Sequence, residues 1–348
     1  MKYDKRLKKE INVIVSWMTT NSCNLKCKHC YQDAGEKKAE ELTTDEAKKL
    51  IDGIQRAGFR IMIFSGGEAL TRPDIFELVS YAKDKGLRPV FGTNGTLLTE
   101  SVVEKLKNAG AGAMGISLDS LDAKKHNEFR GDAGAYEKTM EGIDNCRKLG
   151  LPFQLHVTVM DWNRDEILDI IDFGVKVGTI AVYIFFLIPV GRGKMIEDHQ
   201  VQVEAYEQLL KDIMLKQNEV AITIKPTCAP QFMRVAKQLD VKVSPRFSRG
   251  CLAGLTYCIV SPVGKVRPCA YMLEEAGDIR KKEFDDIWKN SDLFRKLRTK
   301  DYKGSCENCG YKDSCGGCRA RAAYYNNGDI LAEDPYCAYG RLREKSDA

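Results

Sequence analysis

Within eight residues the chain reads Cys23-Asn24-Leu25-Lys26-Cys27-Lys28-His29-Cys30, followed at once by Tyr31. Three thiolates at this spacing hold three irons of a four-iron cluster and leave the fourth without a protein ligand, whereas an electron-carrying cluster takes four. An open metal position is a place for chemistry. A second group reads Cys251-x6-Cys258-x10-Cys269, then Cys306-x2-Cys309-x5-Cys315-x2-Cys318, then Cys337. Eight thiolates suffice for two fully ligated four-iron clusters. Paired CxxC units are also a zinc signature, but the five residues between these pairs make a short insert, and one zinc would leave four cysteines unexplained. Of the thirteen cysteines, only Cys146 and Cys228 stand apart. Cys146 falls in a helical pattern and reads as core. Cys228, between Pro226 and Pro230, reads either as an inert buried thiol or as a catalytic group that ligates a substrate metal or delivers hydrogen.

Further unusual residues follow short apolar runs. Gly66, Gly67 and Glu68 offer close backbone approach and a carboxylate suited to an ammonium group. Asn94-Gly95 is first a turn signal and second a ligand contact. Ser117 and Asp119 end another run, and Arg130 stands in Phe129-Arg130-Gly131.

The elements that must position these residues form one alternating series. Apolar, β-rich runs fall at 11–18, 60–65, 88–93, 113–119, 153–160 and 181–190. Amphipathic stretches near 43–58, 73–86, 99–110, 134–149, 164–178 and 197–217 read as helices. Glycines 58, 86, 110, 150 and 178 mark helix ends, and Asp74 and Thr99 suit helix starts. Strands apolar on both faces, alternating with helices, imply a parallel sheet with helices outside. Six units make an α/β, partial (β/α)6 TIM-like barrel, and ligands collect at the C-terminal rim of its strands. The expected organisation is a barrel over 1–217, a bridge over 218–250 with a short strand near 221–225, and a Cys-rich domain over 251–348. In that domain, residues 257–261 and 265–268 flank a hairpin turn.

The 348 residues are 43% hydrophobic, ample for a large core plus a smaller domain. A net charge of +5 without basic blocks excludes nucleic acid as a natural partner. No apolar run reaches membrane-spanning length, and the short run after the basic start lacks a signal-peptide pattern. The expectation is a cytoplasmic protein, where clustered cysteines mean metal or redox chemistry rather than disulfides.

Cys23, Cys27 and Cys30, with Gly66-Gly67-Glu68 at the next strand end, resemble the radical S-adenosylmethionine (SAM) superfamily, and the distal cysteines resemble its SPASM extension. The resemblance spans roughly residues 11–340. It implies SAM chelated to the open iron of a [4Fe-4S] cluster and a 5′-deoxyadenosyl radical formed on reduction. It casts Glu68 with Gly66, Gly67 and Asn94 in SAM binding, Ser117 and Asp119 on the ribose, Arg130 on the methionine carboxylate, and Tyr31 beside the cluster. His29 stands where the family often has an aromatic residue, suited to stack on adenine or cover the cluster. Cys251, Cys258, Cys269 and Cys318 would hold an inner auxiliary cluster, and Cys306, Cys309, Cys315 and Cys337 an outer one. The two-residue gap from Cys315 to Cys318, where the family often has three, leaves that partition open, as it does one auxiliary cluster against two.

The stretches 64–68, 225–231, 249–254 and 315–321 are similar to the tetrapyrrole-modifying branch of haem d1 and sirohaem-dependent haem synthesis. That likeness implies an iron tetrapyrrole as partner and a ferredoxin or flavodoxin as reductant. Arginines around an aromatic cleft would meet its carboxylates: Arg192, Arg234, Arg246, Arg249, Arg319 and Arg321, with Phe185, Phe186, Phe232, Tyr324 and Tyr325 for the ring. Phe185 and Phe186, as strand neighbours, cannot both face the mouth. The leading expectation is oxidative decarboxylation of iron-coproporphyrin III propionates to vinyls. Removal of acetates from didecarboxysirohaem, haem d1-type propionate removal, and peptide maturation are the alternatives. Maturases usually carry a peptide-binding winged helix ahead of the barrel, for which the residues before the first strand leave no room.

Overall fold

The computed structural model describes residues 13–244 and 249–340. Its strands are β1 (Ile14–Met18), β2 (Ile61–Ser65), β3 (Arg88–Thr93), β4 (Met114–Ser117), β5 (Phe153–Val159), β6 (Ala181–Phe186), β7 (Thr223–Thr227), β8 (Tyr257–Val260), β9 (Lys265–Arg267) and β10 (Gly277–Asp278). They form one sheet in the order β10-β9-β8-β1-β2-β3-β4-β5-β6-β7. From β8 through β1 to β7 every pairing is parallel, and β8-β9-β10 is antiparallel.

The helices over Thr44–Arg56, Ile75–Asp84, Glu100–Ala109, Ala135–Leu149 and Ile167–Val177 fall where the periodicity places them, and a sixth spans Val203–Gln217. Thr43 and Glu46 form a reciprocal capping box, and Thr99 accepts from the Val102 amide. Asp74 does not cap its helix; its carboxylate pairs with Arg72 at 2.6 Å and accepts from Thr44. Alternate strand residues such as Trp17, Met62, Phe64, Leu155, Val157 and Ile184 pack with the helices in one core.

Four features differ from the sequence expectation. The bridge strand is the seventh strand of the barrel sheet, paired to β6 through Tyr183↔Lys225. The first strand of the Cys-rich hairpin, β8, joins the opposite side through Val15↔Cys258, so the distal segment shares the barrel's sheet. A helix over Ala123–Arg130 was not expected, because Ala-Lys-Lys-His-Asn-Glu-Phe-Arg shows no apolar stripe. The stretch expected to be helical from 197 starts at Val203, after 3-10 turns over Gly191–His199. Among the described residues no helix is long and apolar enough to cross a membrane.

Candidate active site

The three-cysteine loop follows β1 and is laced to the end of β2. The Thr19 amide donates to the Ser65 carbonyl at 2.8 Å, the Gly67 amide to Thr20 at 2.8 Å and the Glu68 amide to Ser22 at 2.8 Å. A Cβ at Gly66 would lie 2.6 Å from the Thr20 oxygen, and one at Gly67 would lie 2.7 Å from the Ser22 carbonyl carbon. The backbone that approaches these glycines is therefore the cysteine loop itself, rather than a ligand alone.

Glu68 is fully buried, and its carboxylate accepts from the Thr93 hydroxyl, the Asn94 amide and the Leu70 amide. Burial raises its pKa, against the pull of those donors. These bonds let the side chain tie β2 to β3. Asn94 donates to the Asn24 side chain at 2.9 Å, which fastens the cysteine loop to the rim of β3. The Ser117 hydroxyl donates to the Thr93 carbonyl at 3.2 Å and stays half-buried.

Asp119 is fully buried; one oxygen accepts Arg130 Nε and Nη2 at 2.6 Å, the other the Thr158 amide at 2.8 Å. Arg130 Nη1 lies 3.8 Å from the Cys27 sulfur. Burial raises the Cys27 thiol while Arg130 pulls it down, and burial lifts Cys23 to about 11. Asp119 and Arg130 thus form a buried ion pair aimed at a cysteine, which differs from separate contacts to ribose and methionine. His29 stacks on Phe129 at 4.3 Å, within the chain rather than on a ligand, and burial takes its pKa well below the usual value. Tyr31 bonds the Met18 sulfur at 3.2 Å and packs on Tyr271 at 5.1 Å. Cys30 and Cys269 are both near enough to add to the upward push of burial on its hydroxyl pKa.

The arginines singled out for a substrate are committed elsewhere. Arg192 donates to the Cys27 and Ala34 carbonyls at 2.9 and 2.8 Å and pairs with Asp33, which clamps the cysteine loop from outside. Arg234 is buried in an ion pair with Glu207 and lines the cavity beside the outer cysteines. Arg249 is buried and donates to the Tyr302 hydroxyl. Arg319 donates to the Ala332 carbonyl at 2.7 Å, and Arg321 pairs with Asp334. Arg246 lies outside the described residues. Phe186 is core, while Phe185 sits against His156 at 5.3 Å on the other face.

Cys306, Cys309, Cys315 and Cys337, the set the resemblance assigns to an outer cluster, line one cavity. Cys251, Cys269 and Cys318 belong with a second apolar cluster built on Ile188, Val190 and Leu297, and Cys228 joins them there. Cys258 does not: it is fully buried in the main core. Cys146 is core as expected, with its thiol raised to about 12 by burial. Among the described residues no three or more His, Cys, Asp or Glu side chains gather closely enough for a single metal ion. Sequence reasoning gave no role to Asn24 and Asp334, which no spacing marks; only their place next to the motifs could have found them.

Residues 17–174 match the radical SAM superfamily, and residues 251–310 match SPASM, an iron-sulfur cluster-binding domain. The AdoMet-dependent heme synthase of Methanosarcina barkeri is 44% identical over 94% of this chain and 96% of its own length. The chain belongs to the radical SAM superfamily, in its SPASM-bearing branch. The same organism's Fe-coproporphyrin III synthase is 30% identical over 94% of this chain and 88% of its own length. Streptococcus suis SuiB bound to precursor peptide SuiA shares the fold, with a TM-score of 0.76 at 18% identity, covering 94% of this chain and 76% of SuiB. The family's cofactors are SAM, a [4Fe-4S] cluster and auxiliary iron-sulfur clusters, and the chain's donors fit them. Cys23, Cys27 and Cys30 are neighbours around Leu25 and Ala135 with a buried cation beside Cys27, four distal thiols line one cavity, and Cys251, Cys269 and Cys318 share the second apolar cluster.

Proposed function

We propose that the protein converts propionate side chains of iron-coproporphyrin III to vinyls, with a ferredoxin or flavodoxin supplying electrons. The observation that carries this reading is the graded similarity: 44% identity to a heme synthase against 30% to an Fe-coproporphyrin III synthase, each across 94% of the chain. Cys23, Cys27 and Cys30 would hold the cluster that binds SAM, and the bound pair would supply removal of a hydrogen atom from an unactivated carbon. Each round would take one hydrogen atom from a β-carbon, release carbon dioxide and leave a vinyl group, with the remaining electron passing to an auxiliary cluster held by the distal cysteines.

The chain's residues prepare the place. Glu68, Asn94 and Arg192 fix the cysteine loop, Arg130 sets its charge beside Cys27, and Ser117 keeps an open surface for SAM. Gln154, His156 and Thr158 of β5, with Tyr183 and Phe185 of β6, form a half-buried strand face opposite the helix-packed core. Burial holds His156 near a pKa of about 4, so this face is neutral and suits an apolar macrocycle. A rim groove lined by Phe129, Met160, Trp162 and Ile196, with Lys28 at its edge beside Glu128 and the Lys125–Glu166 pair, is the place for the carboxylates that are not reacting. Holding the reacting carbon still and excluding water protects a radical that would otherwise be quenched.

The test is anaerobic incubation of the reconstituted enzyme with SAM, dithionite and either iron-coproporphyrin III or didecarboxysirohaem, followed by mass spectrometry. Two successive losses of the elements of formic acid from the first substrate are expected. Conversion of only the second, or deoxyadenosine without change in either, overturns the reading.

A further inference from the structure

We propose that Cys228, on the barrel rim, replaces Cys258 as the fourth thiolate of the inner auxiliary cluster. The inference rests on the distal cysteines holding iron–sulfur clusters and not on which substrate the enzyme takes.

Two independent features bring Cys228 to this site. The first is its place in the fold, where the Cys228 side chain packs in the second apolar cluster with Cys318, and Cys251 and Cys269 pack there as well. Cys228, Cys251, Cys269 and Cys318 thus lie together in the second apolar cluster, to which Cys258 does not belong.

The second is the network beneath it. Arg321 and Asp334 are both fully buried and ion-paired. Arg321 Nη2 donates to the Cys228 carbonyl at 2.9 Å, and Asp334 Oδ2 accepts the Cys318 amide at 2.7 Å. Gln231 adds a bond to the same Asp334 oxygen at 2.7 Å and is itself held by the Tyr206 hydroxyl at 2.7 Å. One buried pair therefore fixes the backbones of both cysteines, as outer partners fix the ligands of metal sites. Cys228 also holds a left-handed φ of +58°, uncommon for a residue with a Cβ, at the end of β7. Such strain persists only where the surroundings enforce it.

Cys258 is placed the other way. It sits in β8 opposite Val15, with no exposed surface, and shares the barrel core with Val260. The Tyr257 side chain leaves by the opposite face to meet the Ser16 hydroxyl at 3.0 Å. Bringing Cys258 to Cys318 would need a one-residue slip of the strand, which would send Tyr257 and Ile259 into the core. The consequence is that a barrel strand end and the SPASM segment share a cluster, so Cys228 is not a free hydrogen donor.

The experiment uses the full chain carrying C23A, C27A and C30A, so that only auxiliary sites load. Anaerobic reconstitution should give about eight irons for two four-iron clusters. Cys258→Ala is expected to keep that count and the low-temperature EPR spectrum of the reduced protein. Cys228→Ala should lose about four irons or yield a three-iron signal on oxidation, as a cluster short of one thiolate does. Cys228→Ser, which offers an alkoxide, should keep the irons with a shifted spectrum. A change in Cys258→Ala as large as that in Cys228→Ala overturns the proposal, and so does a parent-like spectrum for both Cys228 variants. A parent chain that binds no iron would instead refute the cluster reading on which the proposal stands.

Discussion

The two cysteine regions are built in opposite ways. Cys23, Cys27 and Cys30 lie on one loop, which backbone hydrogen bonds lace to β2 and which Arg192 and Arg130 grip by its Cys27 carbonyl and thiol. The distal thiols come from a barrel strand end, a hairpin, a coiled segment and a chain end, and a buried Arg321–Asp334 pair brings two of them together. Where the ligands share a loop, spacing is enough to specify the site. Where they come from separate elements, the face on which each side chain emerges decides, and spacing does not record it.

The largest contrast should appear between one thiol from each region. Cys27→Ala should abolish deoxyadenosine formation while auxiliary irons remain; Cys306→Ala should leave SAM cleavage and stop tetrapyrrole turnover. Deoxyadenosine assays beside iron counts check both, and SAM cleavage surviving in Cys27→Ala would break the division of labour. Next is the buried pair of the first region. Asp119→Asn leaves Arg130 charged, buried and without its carboxylate, at an expected cost of about 3–5 kcal/mol. Chemical denaturation of the reconstituted enzyme reads it, together with poorer loading of the three-cysteine site. Gly67→Ala tests the lacing itself, because its Cβ would meet backbone atoms of Ser22 at 2.7 Å and Asn21 at 2.8 Å. Backbone cannot swing aside as a side chain does, so about 1–3 kcal/mol is expected. A variant with parent-like stability and iron content would show that the loop is held elsewhere.

Much of this architecture was legible in the chain. Six strand–helix units stand within a few residues of their expected places because strands buried on both faces and amphipathic helices carry strong periodic signals. The helix Ala123–Arg130 escaped because its residues are polar almost throughout, and its stability comes from tertiary contacts such as Arg130 with Asp119. β7 and β8 were visible as short strands but not as members of the barrel sheet, since pairing partners far apart in sequence leave no local mark. Among site residues the types were readable and their targets were not. Glu68, Asp119 and Arg192 look like ligand groups in isolation, yet each is satisfied by another part of the chain.

Acid should also separate the two regions, with the smallest effect of the series. All four histidines precede residue 200, and none lies in the Cys-rich segment. His126 accepts the Asp119 amide at 3.2 Å, and burial lowers its pKa to about 4 from 6.5. The folded state therefore keeps His126 neutral while the unfolded chain takes up a proton as pH falls below 6.5, so stability declines from there toward 4. Between pH 7 and 5.5 the loss from this one group is about 1 kcal/mol. His126→Gln keeps an acceptor for the Asp119 amide without a titrating ring. Measured as the difference between the variant and the parent enzyme, acid loss of clusters common to both cancels. The parent should lose about 1 kcal/mol more than the variant over that range. Equal losses would mean that His126 is already protonated in the folded state, and the barrel would no longer be the acid-sensitive half on its account.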